Sequence, residues 1–74
     1  MKQDKITNIL ANNIKTKRLA LNITQEQLCE ILDIHKNTIS LIETGKRWVG
    51  ADMLENLAKV LKCEPFELLK NNKK

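Results

Sequence analysis

The chain has 74 residues, which admits one small domain, and its formal net charge of +4 permits a polyanionic partner without demanding one. Aromatics are only 3% of the residues, so any core must be built from aliphatic side chains. No apolar run approaches the ~20 residues of a membrane span, and the start, MKQDKITNIL, lacks the apolar stretch of a secretory signal, so a cytoplasmic protein is expected.

Ile6, Ile9, Leu10, Ile14 and Arg18 recur at helical spacing, which predicts a first helix from about Lys5 to Ala20. Asn22 follows, a residue that tolerates the left-handed backbone ending a helix. In ITQEQL, Thr24 and Gln27 have the spacing of a capping box. A second helix is expected over about Gln25 to Leu32, with Leu28, Ile31 and Leu32 as its apolar face, broken at Asp33 and Ile34. A third should cover about Lys36 to Thr44 and stop at Gly45. GKRWVG is a loop, and a fourth helix, about Ala51 to Lys62, should bury Leu54, Leu57, Ala58 and Leu61. Pro65 suits the first turn of a short fifth helix, PFELLK, and the tail NNKK should fray. The pattern is all-α, without repeats or strand-like alternation, with a core over about residues 5–70 and a tail over 71–74.

Cys29 and Cys63 lie inside helical patterns, and buried reduced thiols are a better reading than a bridge. One histidine and two distant cysteines do not make a zinc site, so neither metal nor cofactor is expected. No grouping of nucleophile, base and orienter argues for an enzyme.

The third helix carries the chemistry. At about 100° per residue, Ile39 and Ile42 oppose Lys36, Asn37, Ser40, Leu41 and Thr44. One face would dock on the domain, and the other would form an exposed strip flanked by Lys46 and Arg47. Asn can bond adenine bidentately, Lys can donate to guanine, Ser can bond either way, and Leu can meet a thymine methyl. On this helix alone an ordinary solvated face is an equal reading, although such a face has little reason to carry Leu41.

The preceding helix changes the weighing, because two short helices joined by a turn of about three or four residues form a helix-turn-helix unit. With Arg18, ITQEQL, TIS, Ile42, Glu43, GKR and LAKVL, the chain resembles the phage repressor and Cro family, also called the xenobiotic response element family. The resemblance covers about Ile14 to Leu69 and implies a compact five-helix, lambda-repressor-like domain that binds double-stranded DNA and regulates transcription. It implies that Lys36, Asn37, Ser40 and Leu41 read bases, that Gln25 bonds a phosphate, and that His35, Thr38 and Thr44 lie along the DNA backbone. Lys46 and Arg47 would neutralise phosphates, and Arg18 and Glu43 would form an internal ion pair.

Several positions depart from the family pattern. Asn22 and Asp33 replace glycines but tolerate positive φ. Lys62 replaces another glycine without that tolerance, and Cys29 replaces a frequent alanine with a residue still small enough for close packing. Val49 and Gly50 replace Pro and Ser, which suggests a more mobile loop, and Leu41 replaces a usually polar reader.

One module reads few base pairs, so a homodimer on a near-palindromic operator is expected. Phe66, Leu68 and Leu69 are the candidate dimer residues, unless they close the monomer core. Trp48 is open to three roles: packing, DNA contact, or contact with a second subunit. The competing functions are an antitoxin-like protein that binds a toxin and its own promoter, and a controller of restriction-modification genes.

Overall fold

The computed structural model describes residues 5–71; the first four residues and positions 72–74, where most of the expected fraying falls, lie outside the described residues. Among the described residues there are five helices: α1 Ile6–Ala20, α2 Gln25–Leu32, α3 Thr38–Glu43, α4 Ala51–Val60 and α5 Pro65–Leu69. Each contributes at least one aliphatic side chain that is wholly buried: Leu10 and Ile14, Leu28, Ile39 and Ile42, Leu57, and Leu68. Burial of such a side chain stabilises by about 1.5–3 kcal/mol. α1 packs on α3 and α5, α2 packs on α3, and α4 packs on α5.

The first four helices end in the same way. After α1, the Ile23 N–H bonds Arg18 O at 3.2 Å and the Asn22 N–H bonds Leu19 O at 3.0 Å. The same pair of bonds recurs from Ile34 to Cys29 and Asp33 to Glu30, from Lys46 to Leu41 and Gly45 to Ile42, and from Cys63 to Ala58 and Lys62 to Lys59. This is the Schellman cap, which satisfies the last carbonyls of a helix and requires a left-handed residue at its corner. The corner φ angles are 58° at Asn22, 56° at Asp33, 76° at Gly45 and 61° at Lys62. The Gly45 corner is also crowded, because a Cβ there would lie 2.7 Å from Asn8 Oδ1.

The helix boundaries follow from these corners. α4 stops at Val60, short of the expected Lys62, because Lys62 itself takes the left-handed conformation. α3 is shorter than expected at both ends. Its N-terminal side is a turn closed by the Thr38 N–H on His35 O at 2.9 Å, so Lys36 and Asn37 precede the helix rather than begin it. Thr24 and Gln27 form the expected capping box, each backbone N–H bonding the other's side-chain oxygen at 2.9 Å.

Other expectations need correction. Ile31 is 57% exposed and does not belong to the buried face of α2, and Leu54 is only half-buried. Val49 is buried, so the loop between α3 and α4 is pinned to the core by an aliphatic side chain. Cys29 is a buried free thiol and Cys63 a half-buried one.

Candidate nucleic-acid interface

Ile39 and Ile42 seat α3 on the core, with 0% and 1% of their surface exposed. This leaves Lys36, Asn37, Leu41 and Thr44 exposed on the outer side and Ser40 half-buried. Although Lys36 and Asn37 precede the helix, the turn keeps them in line with it. Asn37 has helical φ and ψ of −91° and −7°, and its carbonyl accepts the Leu41 N–H at 3.1 Å. The Asn37 side chain makes no cap bond to the helix it precedes. Its donor and its acceptor are therefore uncommitted to the cap, at an exposed position.

Lys36, Asn37 and Ser40 share a groove of about 720 Å³ with Gln25, the first residue of α2. The end of α1 completes it through Arg18, Leu19 and Asn22. The groove thus gathers three of the four expected base readers and the expected phosphate donor. Leu41, which is 39% exposed, lies outside its walls.

Beneath the groove lies a network of charged and polar groups. Arg18 Nε donates to Glu43 Oε2 at 2.7 Å, and Arg18 Nη2 donates to Glu43 Oε1 at 3.0 Å. The side chains are 8% and 2% exposed. Arg18 Nη1 donates to Ile23 O at 2.7 Å, and Gln25 Nε2 donates to Glu43 Oε1 at 2.9 Å. The hydrogen bond to Glu43 raises the Arg18 pKa above its ordinary value, against the opposing effect of burial. A bidentate Arg–carboxylate pair of this kind is geometrically specific. It joins α1 to the end of α3, and the Gln25 bond joins the start of α2 to the same carboxylate. Residue types and spacing gave no sign of that last bond, since it depends on how α2 crosses α3.

The remaining expected contacts divide by exposure. His35, Lys46 and Arg47 are exposed. His35 Nδ1 accepts the Asn37 N–H at 3.2 Å, which leaves Nε2 as the ring nitrogen that can donate. The Thr44 hydroxyl, just past the end of α3, donates back onto that helix, toward Ser40 O at 3.0 Å and Leu41 O at 3.1 Å. Thr38, expected along the DNA backbone, is buried with 7% of its surface exposed. It is the first residue of α3 and points with Ile42 into a small recess of about 70 Å³ behind the helix. Arg47, Trp48 and Met53 also line that recess, yet Trp48 remains 47% exposed.

The expected dimer residues separate in the same way. Phe66 is 64% exposed, Leu69 is half-buried and Leu68 is wholly buried. Leu68 therefore belongs to the monomer core. A residue missed in the sequence also acts here: Asn13, 3% exposed, donates from α1 to the carbonyls of Leu68 at 2.9 Å and Lys70 at 2.8 Å. Its signal was available, since Asn13 is a polar residue three positions after Leu10, on the buried stripe of α1.

Among the described residues no group of three or more His, Cys, Asp or Glu side chains could hold a metal ion. No helix among them is long and apolar enough to cross a membrane.

Residues 14–68 match the family model described as helix-turn-helix. The chain is similar to control protein C.SmaI of Serratia marcescens, 39% identical over 64 residues, covering 86% of this chain and 76% of that protein. It is also similar to control protein C.BamHI of Bacillus amyloliquefaciens, 42% identical over 48 residues, covering 65% of this chain and 59% of that protein. In structure it resembles the crystal structure of the hypothetical transcription factor NHTF from Neisseria, with a TM-score of 0.89. That likeness covers 97% of this chain and 85% of the other at 20% identity, and it speaks to the fold.

Proposed function

The chain belongs to the phage repressor and Cro type of helix-turn-helix family and is a DNA-binding transcriptional regulator, and we propose that it reads a near-palindromic operator as a homodimer. The observation that carries this reading is the groove in which Gln25 meets Lys36, Asn37 and Ser40, above a face seated on the core by Ile39 and Ile42. In the bound state the turn before α3 and the first half of α3 lie in the major groove. Asn37 and Lys36 bond base edges, Ser40 and Leu41 contact their neighbours, and Gln25 donates to a phosphate. Lys46 and Arg47, beyond the end of α3, neutralise phosphates, with His35 and Thr44 beside them. Thr38 is buried, and this reading assigns it no DNA contact.

A strip of this length reads only a few base pairs, so two copies related by a two-fold axis supply the specificity. Phe66 is the side chain best placed to meet the second copy, with Leu69 beside it. The names of the two relatives favour one subtype, a controller of restriction-modification genes, over an antitoxin-like partner of a toxin. Selection of bound sites from random duplex DNA tests the function. A two-fold-symmetric consensus is expected, together with sedimentation of a dimer on that site. Recovery of no preferred sequence would exclude the reading.

A further inference from the structure

We infer that Glu43, buried beneath the groove, is a positioning residue for DNA binding: it orients the Gln25 amide toward the phosphate and fixes the start of α2 against the end of α3. The inference rests on the proposal that Gln25 is a phosphate donor. A carboxylate only accepts, so the Gln25 side chain must turn its nitrogen inward to reach Glu43 Oε1 at 2.9 Å. Arg18 holds that carboxylate by two bonds, at 2.7 and 3.0 Å, so its oxygens cannot turn away. The Glu43 side chain is 2% exposed, whereas Gln25 reaches the groove wall beside Lys36, Asn37 and Ser40. The amide nitrogen carries two protons. One is committed to Glu43, and the other is left in a fixed direction for an acceptor in the groove. A phosphate oxygen is such an acceptor. The buried pair thus has a second consequence besides holding the fold: the phosphate donor is aligned before DNA arrives, and less side-chain freedom is lost on binding.

The test is a double-mutant cycle of operator affinity on the full chain: the unsubstituted protein, Gln25→Ala, Glu43→Gln and both together, each with its urea midpoint measured. Gln25→Ala should weaken binding about tenfold, the worth of one hydrogen bond to a charged group. Glu43→Gln should weaken binding when Gln25 is present and have less than about a twofold effect when it is added to Gln25→Ala. An equal loss in both backgrounds would show that Glu43 acts without Gln25 and would overturn the inference. If Gln25→Ala leaves affinity unchanged, the phosphate contact itself is absent; an undiminished loss on Asn37→Ala would still leave the base-reading strip standing. Should Glu43→Gln fail to fold, the side-chain amide protons of Gln25 in the unsubstituted protein decide the matter. One of the two amide protons shifted from its free-amide position and protected from exchange supports the inference, and both at free-amide positions without protection overturn it.

Discussion

Asn13 and Lys70 are joined by a bond of 2.8 Å from the Asn13 side-chain nitrogen to the Lys70 carbonyl, and the same nitrogen donates to Leu68 O at 2.9 Å. α5 has only five residues, too few for a helix to hold by itself. A buried amide from α1 satisfies the carbonyls that its last turn leaves open. Asn13→Ala should cost about 1–3 kcal/mol, because those carbonyls lose a partner where little water reaches. The loss should appear as a lower urea midpoint and as faster amide exchange confined first to α5. If Phe66 sits at the dimer contact, dimerisation should weaken in the same variant.

Glu43→Ala should destabilise the fold by about 3–5 kcal/mol, because it leaves the Arg18 guanidinium buried without its carboxylate. Lys46→Ala, at an exposed position, should stay within about 0.5 kcal/mol. Urea denaturation at a common slope compares the two. Equal midpoints would contradict the burial seen for the pair.

Reading and holding should separate in DNA titrations. Asn37→Ala should cost about 1–3 kcal/mol on the preferred site and little on random duplex. Lys46→Ala should weaken both similarly and reduce the salt slope by about 0.9 of a unit for one lost phosphate contact. Equal losses for Asn37→Ala on both DNAs would remove it from the base readers.

Lys62→Gly should stabilise the protein by about 1 kcal/mol, since a lysine at positive φ carries strain that glycine does not. Asn22→Gly should gain less, because Asn tolerates that conformation. Thermal midpoints rank the variants, and a destabilised Lys62→Gly would mean that the side chain supplies more than its corner costs.

Glu67 gives the fold a dependence on acid. Its carboxylate accepts the Glu64 N–H at 2.9 Å and lies 3.6 Å from Lys17 Nζ. The backbone bond, assisted by Lys17 and partly opposed by desolvation, lowers its pKa below the ordinary glutamate value. A depressed carboxylate contributes stability that is fully present above the unfolded pKa and is lost as pH falls through the lower, folded one. Acidification from about pH 7 to about pH 3 should therefore narrow the stability difference between the unsubstituted protein and Glu67→Gln. A difference that stays constant over that range would show that the carboxylate is not engaged in solution.

Local chemistry was legible in the sequence where it was self-contained. The limits of α2 follow from the Thr24–Gln27 box at one end and Asp33 at the other, and both devices lie within a few residues of what they cap. The start of α3 was misplaced because helical spacing continues unbroken through Lys36 and Asn37, although their backbone forms a turn. Leu68 and Phe66 are both large and apolar, and in a helix of five residues the pattern cannot tell which of them faces inward. The strip on α3 was legible because Ile39 and Ile42 fix its opposite face. The burial of Asn13 was legible from its place on the stripe of α1, but its partners, like that of Gln25, were not, since each bond joins residues far apart in the chain.

The four helix corners bear on how a regulator of this kind can acquire a new operator. If Asn37 and Ser40 read bases as proposed, changes at either alter which bases are bonded, and most substitutions in small domains lower stability. Lys62 lies outside the groove, at a strained corner of the opposite half of the chain, and a single substitution there could restore about as much as one such change removes. On that reading, operator preference and thermal tolerance are set at separate places in the fold, and a lineage could alter its target without first thickening its core.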